Sequence, residues 1–312
     1  MYEIALVGDL HLAPKVSSRI DDYFESCLEK IEEISDNCRN IIFLGDVFDT
    51  PTLPANYFIE LYRLLNYRIN IKGNNYYSII GNHDIYNERE DSLERTTLGL
   101  CNETQIIEVI KPNEPKNISG YNFHTSFVNP DRCRKHLKEI SNPESYSDND
   151  ILLLHHYYED IYECLKYDDL KDVGFRSIFL GHEHKPLNNF KMQTPQFNIY
   201  RCGSCGRNRA DSFNLNREIF YFILEPEKDI MIGKLECTKP AIEVFNEQAY
   251  NQDNLKKKAF INNINEVIGK YTNNISVQDK FSIKLILEEL STPAKCMEYI
   301  HNKYKQINEI FK

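Results

Sequence analysis

Acid, amide and imidazole side chains recur in five short clusters, each at the end of an apolar run: Gly8-Asp9-Leu10-His11, Gly45-Asp46-Val47-Phe48-Asp49, Gly81-Asn82-His83-Asp84, His155-His156 and Gly181-His182-Glu183-His184. Side chains two apart on an extended segment project to one side, so Asp9 with His11, and His182 with His184, can each grip one cation. A carboxylate such as Asp46 between two such pairs can bridge them, Asn82 offers a neutral oxygen, and His155 an imidazole. Mixed nitrogen and oxygen donors suit manganese, iron or zinc better than magnesium or calcium. Taken singly, each of these residues reads better as a turn residue capping a strand; together they predict a two-metal site. His155 and His156 compete for one position. The strand ending Leu153-Leu154 favours His155 and leaves His156 as a neighbouring or substrate-facing group. Asp84 reads as a structural hydrogen-bond partner rather than a catalyst.

Clusters so far apart in the chain converge only if a sheet brings the ends of their strands to one edge. Residues 2–7 read as a strand ending at Gly8. Tyr23, Phe24, Cys27, Leu28, Ile31 and Ile34 fall on one stripe of 3.6-residue period, which predicts an amphipathic helix over 19–35. Ile41 to Leu44 is then a short buried strand, completing a β-α-β unit with ligand candidates after both strands. Pro54 opens a helix to about Arg68, and residues 77–80 run as a strand into Gly81. A loop with a short helix is expected over 85–100, strands at 105–110 and 118–124, and a surface excursion at 129–149, where prolines interrupt a weak helical pattern. Further strands are expected at 151–154, 177–180 and 197–201, then a turn at Gly203-Ser204, then a hairpin of 217–224 with 230–236. Past Pro240 the character changes: a helix at 252–270, a strand at 281–288 and a helix at 294–311 predict a separate small domain. The expected division is 1–240 and 241–312.

Composition sets wider bounds. With 312 residues the chain can bury a sizeable core, and 41% hydrophobic with 27% charged residues is ordinary for a globular protein. There is no apolar run of about 18 residues, as a membrane span needs, and Met1 leads into an acidic strand rather than a leader, so a cytoplasmic protein that avoids membranes is expected. Nine scattered cysteines predict free thiols in a reducing compartment. A net charge of -10 excludes indiscriminate binding to nucleic acid or anionic lipid. It does not exclude a nuclease, because the ligands of a metal pair must themselves be carboxylates and a bound pair restores positive charge locally.

In order, Asp-x-His, Gly-Asp-x-x-Asp, Gly-Asn-His-Asp, His and Gly-His-x-His resemble the calcineurin-like metallophosphoesterase superfamily over roughly residues 1–205. The resemblance implies an α/β fold, a four-layer α/β/β/α sandwich, with two divalent metals. Asp9, His11, Asp46 and His184 would hold the first; Asp46, Asn82, His155 and His182 would hold the second. His83 would be the catalytic histidine, and Asp49 the carboxylate that orients and charges it. Within the superfamily, the short start before Gly8, the sequence Gly81-Asn82-His83-Asp84-Ile85-Tyr86, the Gly203-Ser204 turn and a small α/β tail are most similar to SbcD-type nucleases of DNA double-strand-break repair. That finer resemblance implies manganese-dependent exonuclease and endonuclease activity on DNA, an SbcC-type coiled-coil ATPase partner, a homodimer, and 241–312 as a capping domain. With the sequence stopping at Lys312, the partner-docking segment expected after such a cap would be short, fused into the last helix, or absent. A metallophosphoesterase for a cyclic nucleotide, a nucleotide or a phosphoprotein is the alternative, and an inactive scaffold a third reading.

Other residues invite sharper readings than they support. Cys202-Gly-Ser-Cys205 has no second cysteine pair at zinc-ribbon spacing, and the family resemblance implies that Gly203-Ser204 is a turn near the metals. His124, His136 and His301 read as surface or packing residues. Arg89, Arg95, Arg207 and Arg209 flank the expected cleft, where phosphate contact and plain solvation are equally good readings. Lys256-Lys257-Lys258 reads as a solvated helix face rather than a DNA contact.

Overall fold

Strand β1 (Tyr2–Val7) sends its buried side chains alternately to two different cores. Ile4 and Leu6 face one core, shared with Ile42, Leu44, Phe179 and Phe222. Ala5 and Val7 face another, shared with Phe24, Cys27 and Ile31 of helix α1 (Tyr23–Asn37). A strand buried on both faces needs a layer on each side, which is why its sequence is apolar without alternation. The computed structural model describes residues 1–141, 146–159, 164–210, 212–215 and 217–245, all within one compact unit.

The first sheet runs β12 (Met231–Lys234), β11 (Phe220–Leu224), β1, β2 (Cys38–Phe43), β3 (Asn75–Ser78) and β4 (Glu108–Val109). Strands β1 to β4 are parallel, and β11 joins β1 antiparallel. The second sheet runs β5 (Lys116–Ile118), β6 (Tyr121–Thr125), β7 (Asp150–His155), β8 (Ser177–Gly181), β10 (Asn198–Tyr200) and β9 (Lys191–Gln193). There β6, β7, β8 and β10 are parallel and the two edge strands antiparallel. Between the sheets, Phe179 stacks on Tyr200 at 4.7 Å and meets Phe222 edge-on at 5.2 Å. Each such pair adds about 0.5–1.5 kcal/mol beyond the area it buries.

Helix α1 and the apolar side of α2 (Ala55–Tyr67) and α3 (Thr97–Glu103) cover the first sheet. Helices α4 (Pro130–Glu139) and α5 (Tyr167–Leu170) cover the second, where Cys133, Leu137 and Leu170 meet Leu152, Leu154 and Ile178. The result is the four-layer α/β/β/α sandwich.

Several local expectations need correction. Helix α1 starts at Tyr23 rather than 19, because the Asp22 side chain accepts the Glu25 N–H as an N-cap and Arg19 is engaged by Asp21. The 129–149 stretch is no mere surface excursion: Asn129 caps α4, Pro130 occupies its first turn, and Cys133, His136 and Leu137 are buried beneath it. The strand expected at 105–110 shrinks to two residues, and 118–124 divides into a hairpin at Ser119-Gly120, both with positive φ. The elements expected over 252–270, 281–288 and 294–311, with the cap they would form, lie outside the described residues, as do His301 and Lys256 to Lys258. Among the described residues no helix is long and apolar enough to cross a membrane.

Candidate metal centre

Parallel strands end at the same edge, so β1, β2, β3, β7 and β8 deliver Asp9, Asp46, Asn82, His155 and His182 to one cleft between the sheets. The chain turns sharply at these points. His11, Asp46 and His182 have φ of 50°, 48° and 74°, a left-handed region that costs a non-glycine residue about 1–3 kcal/mol. Such strain persists only where its surroundings enforce it, and here it falls on three of the residues singled out by their chemistry. Gly45 (φ 85°) and Gly81 allow the close approach: a Cβ at Gly45 would lie 2.4 Å from His155 Nδ1, and one at Gly81 would lie 2.1 Å from the Asp46 nitrogen.

Backbone groups aim the ligand candidates. The His182 N–H donates to Asp9 Oδ1 at 2.8 Å, and the His83 N–H to Asp46 Oδ1 at 2.8 Å. His155 Nδ1 lies 2.7 Å from the Leu44 carbonyl, which can only accept, so Nδ1 carries the hydrogen and Nε2 turns into the cleft. There Nε2 meets Asn82 Oδ1 at 3.1 Å, Asp46 Oδ2 at 3.2 Å and His182 Nδ1 at 3.2 Å. On the other side His11 Nε2 lies 3.0 Å from His184 Nε2 and 3.6 Å from the same Asp46 Oδ2. Asp9, His11 and His184 therefore form one group; Asp46, His155 and His182 form another; His11, Asp46 and His83 lie between them.

These atoms fit a pair of divalent cations. Asp9 Oδ2 is buried without a hydrogen-bond partner. Around His155 Nε2 the facing atoms are acceptors, a convergence that needs a positive charge at its centre. Metal bonds of about 2.0–2.2 Å meeting at tetrahedral or octahedral angles set ligand atoms about 3.0–3.5 Å apart, close to the separations here. Burial opposes charge on His155, yet the Asp46 carboxylate beside it raises its pKa to about 10. Burial and the His155 charge lower His182 to about 2, and burial with His11 lowers His184 to about 3. Burial raises Asp9; Asp46 is held low, against its burial, by His155, His11 and His83. Two neutral imidazoles, each with one ring nitrogen free of hydrogen, are the form a metal requires.

The structure brings together Asp9, His11, Asp46, Asn82, His83, His155, His182 and His184, and separates others. His156 turns away and donates from Nε2 to the Phe127 carbonyl. Asp84, fully buried, accepts the N–H groups of Phe48 and Gly81. Asp49 requires a correction: the carboxylate expected on His83 lies 3.2 Å from His11 Nδ1, while His83 Nδ1 bonds to the Asp49 main-chain carbonyl at 2.7 Å. Cys202 packs between the sheets and Cys205 beneath the helices, so the two thiols belong to different cores. Arg207 is buried, donates to the Lys239 carbonyl and sits over Phe245, not on the cleft. Arg89 is exposed and paired with Asp91; Arg95 and Arg209 are exposed. Sequence reasoning missed the carbonyls of Leu44 and Asp49, which no residue type announces. It also missed Tyr157, whose ring meets His182 edge-on at 4.1 Å. Its place two residues past His155 was the available signal.

A model of the calcineurin-like phosphoesterase family matches residues 2–186, a span that holds all five clusters. Among solved structures, a dimetal phosphatase from Danio rerio is 9% identical over 76% of this chain and 96% of that one, with a TM-score of 0.45. Vacuolar Protein Sorting 29 from Cryptosporidium parvum is 12% identical over 74% of this chain and 96% of that one, with a TM-score of 0.29. A search of curated proteins returns no match. The chain, by this match across more than half its length, belongs to the calcineurin-like phosphoesterase family.

Proposed function

We propose that the protein is a two-metal phosphodiesterase and, within that class, a manganese-dependent DNA nuclease of SbcD type. The observation that carries the first part is Asp46 Oδ2, set 3.6 Å from His11 Nε2 and 3.2 Å from His155 Nε2, where one oxygen can serve two ions. When bound, a cation pair supplies Lewis-acid polarisation of the phosphate and stabilises charge on the attacking and leaving oxygens. Asp9, His11, Asp46 and His184 would hold one ion; Asp46, Asn82, His155 and His182 the other. His83, half-exposed, has its Nδ1 hydrogen fixed on the Asp49 carbonyl, which leaves Nε2 as the nitrogen for proton transfer to the departing oxygen.

The nuclease reading is supported by the run Gly81 to Tyr86 and by the Gly203-Ser204 turn. That turn is seated against the site: Gly203 has φ 78°, and the Ser204 N–H donates to the His184 carbonyl. DNA, an SbcC-type coiled-coil ATPase and a second copy of the chain are the partners this reading entails; with a net charge of -10 on this chain, the reading leaves the ATPase to supply basic DNA-binding surface.

The test sets degradation of linear double-stranded DNA with manganese against hydrolysis of bis-nitrophenyl phosphate and cyclic nucleotides. DNA should be degraded, and His83→Asn should lower kcat about 100- to 10,000-fold with manganese binding retained. Turnover of the small esters with intact DNA, even with the ATPase present, would transfer the protein to the small-substrate branch of its family.

A further inference from the structure

We infer that Asp49 is a positioning residue with two separate outputs, its carboxylate fixing the ring of the metal-facing His11 and its main-chain carbonyl fixing the ring of His83. The inference rests on the two-metal reading and adds a division of labour within one residue.

The geometry comes from the way the loops after β1 and β2 run side by side. The His11 N–H donates to the Asp46 carbonyl, the Leu12 N–H to the Val47 carbonyl, and the Asp49 N–H back to the Leu12 carbonyl. This short ladder holds Asp49 beside His11. The Asp49 carboxylate sits 3.2 Å from His11 Nδ1, a nitrogen otherwise buried with no hydrogen-bond partner. A carboxylate can only accept, so it selects the ring form with hydrogen on Nδ1 and a bare Nε2. That Nε2 is the atom 3.0 Å from His184 Nε2. The contact falls short of hydrogen-bond alignment; a cation held at Nε2 would make the Nδ1 hydrogen a stronger donor to the carboxylate.

Across the residue, the Asp49 carbonyl takes the His83 Nδ1 hydrogen at 2.7 Å. The two imidazoles stand edge to face at 4.8 Å, so they remain distinct in orientation although one residue serves both. Every substitution at position 49 keeps the carbonyl. Changing the side chain should therefore disturb His11 and spare His83, the opposite of a carboxylate-histidine pair acting in proton transfer.

The experiment is manganese titration by calorimetry of the full chain, wild type against Asp49→Asn and Asp49→Ala. Histidine ¹⁵N spectra of the metal-free wild type accompany it. One of the two manganese ions should bind about 10- to 100-fold more weakly in both variants, the usual cost of losing a partner behind a ligand histidine. The wild-type His11 ring should carry its hydrogen on Nδ1. Two ions at wild-type affinity with only kcat lowered would overturn the inference and return the carboxylate to His83. If a variant fails to fold, a His11 ring protonated on Nε2 in the wild type overturns it independently. Wild-type protein that binds no manganese would instead remove the two-metal reading beneath it.

Discussion

Replacing Asp84 isolates a structural support of the centre from its chemistry. Its side chain is 0% exposed, and its two oxygens accept the N–H groups of Phe48 and Gly81, each at 3.0 Å. Those residues belong to the turns that present Asp46 and Asn82. In Asp84→Ala both N–H groups lose their acceptor within a closed interior, at about 1–3 kcal/mol each, or about 2–6 kcal/mol together. Asp84→Asn keeps one acceptor and sets an amide donor against the other N–H, so its loss should be about half as large. Against a domain stability of about 5–15 kcal/mol, the alanine variant should melt well below wild type but remain foldable in the cold. Urea unfolding of metal-free protein gives the numbers, and manganese titration of the folded variants shows whether the two turns still present Asp46 and Asn82 together. An alanine variant within about 0.5 kcal/mol of wild type, or an asparagine variant less stable than alanine, would refute the assignment of Asp84 to these two bonds.

Gly81→Ala would place a Cβ 2.1 Å from the Asp46 nitrogen and 2.2 Å from its Oδ1, so the variant should lose manganese binding while keeping its fold, read by calorimetry alongside circular dichroism. His136 is buried, its Nδ1 on Ser126 Oγ and its Nε2 on Asn113 Oδ1, and burial lowers its pKa below the ordinary value of about 6.5. The unfolded chain then binds the extra proton. Stability from this residue is whole above about pH 6.5 and declines as pH falls toward the lowered folded pKa. His136→Gln should flatten that part of the stability-pH curve, and an unchanged acid slope would show that folding does not lower the His136 pKa.

The strands that carry the centre were legible because they are short, uniformly apolar and closed by a glycine before each acid, amide or imidazole. Asp9, Asp46, Asn82 and His182 could be named without a structure for that reason. The helix start at 23 was not, because Ile20 continues the apolar spacing while Asp22 competes as a cap, and capping decided the outcome. Helix α4 was discounted for its prolines, although Pro130 sits where a missing N–H does no harm.

The sequence alone determined which side chains have metal-binding chemistry and in what order they come, since ligand type and strand periodicity are local properties. Only the tertiary structure set the His155 ring in the cleft and turned the His156 ring to the Phe127 carbonyl, because a one-residue step reverses the face of a strand and the Leu44 carbonyl holds the first of the two rings. Only the tertiary structure, too, turned the Asp49 carboxylate toward His11 and left its carbonyl to His83. A main-chain oxygen is the same in every residue, so where it points depends on how the loops after β1 and β2 pair, and nothing in the identity of residue 49 announces it.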